Sequence, residues 1–236
     1  MNKLKTISIA AALAVAGITS ATAQSAKTNP WEGAYGQLAI GYGVFTPSLG
    51  NGVVAAIGGT STATNVNSVK TGLGNVVGGY NFSIDQNYLI GVGASYYPGA
   101  SSTANGTLNV ITAGGVTAST TVASYNIHNL YNVFLSPGYA LDKDRLAYAK
   151  LGYTGSTIGI SSPTIPYSTI NLTGATVGLG YKQMISPTLY AIGEVNYASY
   201  STTTASVPTT TATVTITGVP AKGTGTDFLI GIGYRF

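Results

Sequence analysis

The closing segment Thr226-Asp227-Phe228-Leu229-Ile230-Gly231-Ile232-Gly233-Tyr234-Arg235-Phe236 alternates, Leu229 apart, between large apolar residues and small or polar ones, up to a terminal aromatic. Successive side chains of a strand point to opposite faces. Phe228, Ile230, Ile232, Tyr234 and Phe236 therefore share one greasy face, while Leu229, two glycines and Arg235 share the other. A strand with this period and a terminal aromatic is predicted to belong to a barrel whose outer face meets lipid.

The charge content supports the same reading. Charged residues make up 7% of the chain, against about 25% in soluble domains, and the mean hydropathy is +0.27. A soluble protein is hard to keep dispersed with so few charges, and a helical membrane protein must show long apolar spans. A barrel disperses its apolar residues over every second position and needs neither. The N-terminus has Lys3 and Lys5, an uncharged stretch from Ile7 to Ile18, and Ala21-Thr22-Ala23. This pattern predicts a cleavable signal peptide over residues 1–23, its apolar run being too short for a spanning helix. Residues 24–236 remain as one barrel domain. They hold eight Lys or Arg and six Asp or Glu, so the basic pI reflects scarce charges and gives no support to nucleic-acid binding. The absence of cysteine excludes a disulfide framework and any thiolate-ligated metal.

Gly-Tyr pairs at 79–80, 138–139, 180–181 and 233–234 each close an alternating apolar segment. Short turn-forming stretches follow the first three: Asp85-Gln86-Asn87, Asp142-Lys143-Asp144 and Ser186-Pro187. Eight strands are predicted, near 33–46, 69–83, 88–97, 122–140, 145–157, 169–184, 188–200 and 226–236. The fourth has the least regular phase, with Tyr125, Ile127, Tyr131 and Val133 expected outward. Long connections near 47–68, 98–121, 158–168 and 201–225 alternate with the short turns, the pattern of bacterial outer-membrane barrels. Gly58-Gly59 and Gly114-Gly115 could reverse the chain inside two of them, and Thr211 to Thr217 reads as a β-segment. The expectation is an all-β, eight-stranded antiparallel up-and-down transmembrane barrel. Trp31, Tyr80, Tyr139 and Tyr181 would belong to its interfacial aromatic belt.

Trp31-Glu32-Gly33-Ala34-Tyr35-Gly36, Gly79-Tyr80-Asn81-Phe82, Tyr148-Ala149-Lys150-Leu151-Gly152-Tyr153, Glu194-Val195-Asn196-Tyr197 and Gly233-Tyr234-Arg235-Phe236 together resemble the small bacterial outer-membrane barrels of the "porin family" or opacity-protein-like group, related in fold to the OmpA membrane domain. The resemblance spans essentially the whole mature chain through the order and spacing of short motifs. It implies residence in the outer membrane of a Gram-negative bacterium, after export through the inner membrane. It also implies contact with outer-membrane lipid and lipopolysaccharide, with periplasmic chaperones, and with the barrel-assembly machinery. By the same resemblance Phe236 is the assembly signal, supported by Tyr234 and Phe228. The unusually long, Thr-rich connections depart from the family, so functions residing in family loops do not carry over.

The strand phase sends Lys150, Lys182, Glu194 and Arg235 inward as a barrel-interior charge network, with Lys150 and Glu194 at heights suited to an ion pair. Gln37, Asn75, Tyr190 and Asn196 would add polar groups to it. Catalysis is not expected: the one histidine, His128, is expected to point inward as a hydrogen-bonded filler. Nor is a metal or cofactor, since the Asp142/Asp144 turn lacks the ligand set of a calcium loop. The expected role is structural or surface-interacting, the barrel anchoring long outer loops. The alternative is a narrow or gated passive channel for small solutes, with either a continuous polar lumen above inward glycines such as Gly93 and Gly178 or a lateral opening for apolar solutes.

Overall fold

The computed structural model describes residues 29–210 and 214–236; the predicted signal peptide and Thr211 to Thr213 lie outside them. The described chain forms one antiparallel sheet of eleven strands: β1 (Gly33–Leu49), β2 (Gly52–Val54), β3 (Gly59–Thr64), β4 (Val69–Ser83), β5 (Tyr88–Ala100), β6 (Ala104–Ile111), β7 (Thr117–Ala140), β8 (Arg145–Ser162), β9 (Ile165–Met184), β10 (Leu189–Pro208) and β11 (Thr215–Arg235). The pairings run β1–β4–β5–β7–β8–β9–β10–β11 and return to β1 through the register Tyr35↔Arg235 to Leu49↔Ala221. That closure leaves the sheet without a free edge through its lower half, which is how a membrane barrel satisfies every backbone polar group.

Eleven strands stand where eight were expected. Three of the long connections hold added strands or prolong their neighbours, and the fourth is also strand almost throughout. β2 and β3 reverse at Gly58, in the left-handed region at φ +57, and β6 and β7 at Gly115, φ +78. β8 runs on to Ser162 and meets β9 at Ile165 across a two-residue turn. β2, β3 and β6 then bridge β11 to β7, so a second wall stands on the first. Thr, Ser and Val favour pleated, half-buried surfaces, and pairing satisfies the backbone that a bare loop would leave to water.

The outer face has an apolar band. Leu38, Ile40, Val133, Leu135, Leu179, Val195, Ile230 and Ile232 are all exposed to the outside. Aromatics bound it at the far end (Tyr42, Tyr96, Tyr131, Tyr153, Tyr197) and at the turn end (Phe82, Tyr88, Tyr139, Tyr181, Tyr234, Phe236). Such a ring is stable only against hydrocarbon.

Two expected placements are corrected. Trp31 is 1% exposed, not in the belt: it fills the barrel mouth at the turn end, edge-on to Tyr190 at 5.6 Å and packed with Leu89, Leu146 and Tyr148. A turn at Asn29–Pro30 precedes the first strand, so strand phase does not govern Trp31; Asn29 Oδ1 accepts from the Trp31 N–H, and Asn81 donates to the Trp31 carbonyl. In β7, Tyr125 and Ile127 face inward, 5% and 8% exposed, while Tyr131 and Val133 face lipid. The register slips between His128 and Tyr131, with Asn129 at φ +54. One extra residue in a bulge inverts the alternation, so His128, expected inward, takes the outward phase opposite Ile127, beside Thr157.

Candidate functional site

The lower lumen is closed by side chains. Lys150 on β8 and Glu194 on β10 are separated by β9, whose facing positions are Gly178 and Gly180. With no side chain between them the two meet: Lys150 Nζ lies 2.7 Å from Glu194 Oε1, both side chains 3% exposed. Tyr148 donates to Glu194 Oε2 at 2.6 Å, and Asn196 donates to Glu194 Oε1 and to Asp227 Oδ1, each at 2.8 Å. The Lys150 ammonium also sits 4.3 Å from the centre of the Phe134 ring. Nearer the turns, Lys182 lies over the rings of Tyr35, Tyr148 and Tyr190 at 4.1, 5.0 and 5.1 Å, an aromatic cage suited to a desolvated cation. Tyr190 donates to Gln37 at 3.1 Å.

Arg235 is not part of this network. It follows the inward phase but sits half-buried at the rim and donates to the Pro187 carbonyl at 2.8 Å. Asn75 is buried, with no partner for its amide nitrogen. Phe228, Tyr234 and Phe236 lie on the lipid face, the last two in ring contact; Tyr139 and Tyr181 are exposed at the turn-end girdle, and Tyr80 is half-buried there. Gly93 and Gly178 open no space into the lumen. A methyl on Gly93 would strike the Phe134 ring and one on Gly178 the Asn196 amide, so neighbouring side chains already occupy that space.

Above this plug the wall is interrupted. β4 pairs with β1 from Asn81 up to Val69, but with β5 only as far as Val76↔Tyr96. Val69 to Asn75 thus have no ladder partner on the β5 side. The cause lies in β5: Pro98 has no N–H to donate, Gly99 turns away at φ +95, and the strand regains β7 only at Ala100↔His128. Across the gap, the Ser102 N–H reaches Thr71 Oγ1 at 3.3 Å.

Behind this gap lies a cavity of about 80 Å³. Its floor is the top of the plug, with Asp227, Asn132, Thr154 and Thr176; its walls include Phe45, Leu73, Tyr97 and Tyr200. The same cavity is bordered by Gly72, Pro98 and Gly99, all exposed on the outside of the barrel, so it reaches the wall at the gap. A second cavity of about 50 Å³ lies within the upper wall, lined by Leu108, Ile165, Val207, Ile216 and Val219 among others. Tyr125 and Ile170 border the upper cavity, Phe45, Val69 and Ile127 the lower, and all five belong to one apolar cluster between them.

Sequence reasoning missed Asp227, Tyr97, Pro98 and Gly99. Asp227 was legible, because it alternates with Phe228. Pro98 was also legible as a residue that cannot continue a central strand.

No protein-family model matches the chain, and no curated protein matches it. Among solved structures, the outer membrane protein OprG from Pseudomonas aeruginosa aligns over 87% of this chain and 96% of its own at 14% identity, with a TM-score of 0.51. The outer membrane protease OmpT from Escherichia coli aligns over 87% and 97% at 10% identity, with a TM-score of 0.50. The likeness is one of fold: this chain has the architecture of the bacterial outer-membrane β-barrels.

Proposed function

We propose that the protein is an outer-membrane barrel that passes small apolar solutes sideways, from the outer wall through the gap between β4 and β5 into the lipid. One observation carries this reading: inward-facing Leu73 and Tyr97 and outward-facing Gly72, Pro98 and Gly99 border the same cavity. The charged plug below it would have to lose several kcal/mol of pairing to admit an ion, while the cavity above sets the apolar walls of Phe45, Leu73, Tyr97 and Tyr200 over its polar floor. On this reading the short turns face the periplasm, residues 1–23 direct export, residues 24–236 form the barrel domain, and chaperones and the assembly machinery deliver it, the latter through Phe236. No catalytic role is assigned. A surface-interaction role is the second reading, favoured by β2, β3 and β6, which order the outer wall well beyond the aromatic girdle.

The chain lacks cysteine, so the gap can be stapled selectively. Thr71→Cys with Ser102→Cys places two thiols where backbone and side chain already touch. Reconstituted in vesicles, the reduced pair should admit a small apolar fluorophore as the parent does, and oxidation should abolish entry reversibly. Equal entry in both states would overturn the lateral route.

A further inference from the structure

The top of the plug is short of one positive charge. Asn196 donates to Glu194 Oε1 and to Asp227 Oδ1, each at 2.8 Å, and Lys150 closes on Glu194 from the other side. This chain of contacts joins two carboxylates to a single ammonium. Among the described residues Asp227 has no cationic partner. Lys182 does not serve it: its ammonium stays in the tyrosine cage, and its backbone faces Ile192 of β10 while Asp227 faces Asn196, which separates the two by about 13 Å along the barrel. A carboxylate held out of water without a counter-ion is costly, and a cation arriving from outside removes that cost.

The surroundings of Asp227 leave room for such a cation. The residue is half-buried and forms part of the floor of the lower cavity. Its Oδ1 accepts from Asn196, and its Oδ2 from the Tyr97 hydroxyl at 3.4 Å, so both oxygens keep acceptor capacity. The next inward position up β11 is Gly225, which faces Phe45 of β1 and Ala198 of β10. A methyl on Gly225 would find nothing nearer than 3.8 Å, so open space stands directly above the carboxylate. Phe45, Leu73 and Tyr200 wall that space with hydrocarbon, and Tyr97 leads from the carboxylate to Pro98 and Gly99 at the gap. The cavity is about 80 Å³, against about 150 Å³ for one that takes up benzene. It suits a polar end group and the first carbons of a chain, the rest of which leaves through the gap, better than it suits a ring.

We infer that Asp227 binds the ammonium of a straight-chain primary amine, whose alkyl chain runs between Leu73 and Tyr97 and out between β4 and β5. The assignment rests on the lateral reading for the path of the chain and names the solute class of that route. The ammonium supplies the missing charge, the apolar walls take the methylenes, and a fatty acid of the same length is repelled by the same carboxylate.

The test uses the full mature barrel reconstituted in vesicles and two photoreactive probes, alike in an eight-carbon chain with a diazirine close to one end, one ending there in an amine and the other in an alcohol. The readout is the probe concentration that half-saturates labelling of the protein. Each probe is compared between proteins in identical vesicles, so its partition into lipid cancels, and heat-dependent gel mobility confirms folding. Asp227→Asn keeps the side chain's shape and should raise the half-saturating amine concentration by about 10- to 100-fold while leaving the alcohol within about threefold. Gly225→Val fills the space above the carboxylate and should remove labelling by both probes. Amine labelling unchanged in folded Asp227→Asn, equal loss of both probes in that variant, or full labelling of Gly225→Val would each overturn the site. Amine entry is measured beside binding. Entry untouched by the oxidised Thr71→Cys/Ser102→Cys staple, with amine binding still lost in Asp227→Asn, would refute the lateral route and keep the site; entry blocked by the staple, with binding indifferent to Asp227→Asn, would refute the site and keep the route.

Discussion

Replacing Glu194 by Gln keeps the side chain's shape and removes its charge. Lys150 then sits 3% exposed without its counter-ion, still above the Phe134 ring but left with a neutral acceptor. Breaking a buried pair from one side costs about 3 to 5 kcal/mol, because the remaining charge has no solvent to return to. Glu194 also accepts hydrogen bonds from Tyr148 and Asn196, and the Gln amide can keep only part of this set. The loss should therefore fall in that range. The assay is reversible urea unfolding of the barrel refolded into lipid, followed by fluorescence of Trp31, the one tryptophan, which leaves its seat against Tyr190 when the mouth opens. Adding Lys150→Met should recover part of the loss, with a coupling of about 2 to 3 kcal/mol. In planar bilayers the parent should show no conductance steps, whereas E194Q should show small ones. A single-variant loss below about 1 kcal/mol, or additive effects in the double variant, would show that the pair does not hold the plug.

Ile230→Arg places a guanidinium on the lipid face, where Ile230 is 53% exposed, and should cost about 2 to 4 kcal/mol near the midplane; an unchanged unfolding free energy would mean the strand phase is wrong. Trp31→Ala should cost about 3 to 5 kcal/mol as a cavity in a packed mouth, with unfolding followed by circular dichroism because the one tryptophan is gone, whereas loss of a belt residue facing lipid would cost far less. Phe236→Ser should lower the barrel yield in membrane fractions while refolding in vitro proceeds normally, and an unchanged yield would remove Phe236 from the assembly signal. In the turns, the backbone N–H groups of Tyr88 and Asn87 hold the Asp85 carboxyl below its usual value of 3.8, and the Arg145 side chain and the Asp144 N–H do the same for Asp142. A lowered folded-state pKa gives stability that is complete above the unfolded value and is lost as pH falls through the folded one. The unfolding midpoint should thus decline with acid below about pH 4, and less steeply in Asp85→Asn/Asp142→Asn; identical acid limbs would refute that role.

Much of this architecture follows from local chemistry. Alternation in Phe228 to Phe236 fixes which face meets lipid, because strand side chains have a period of two whatever surrounds them. Turn residues such as Asp85-Gln86-Asn87 mark reversals because their side chains satisfy the local backbone. The meeting of Lys150 and Glu194 was legible for the same reason: phase sends both inward, and desolvation leaves each needing the other. Other features required the tertiary structure. The bulge at Asn129 turned Tyr125 and Ile127 from lipid to lumen, since a one-residue insertion in one strand is defined only against its neighbours. Trp31 entered the mouth because a turn before the first strand has no phase to obey. Thr-rich stretches became a second wall only through partners distant in sequence, β2 with β11 and β3 with β6. The side opening was likewise undecided locally: Pro98 forbids one ladder bond, but only the closed circuit of strands shows which neighbour is left unpaired and which cavity lies behind it.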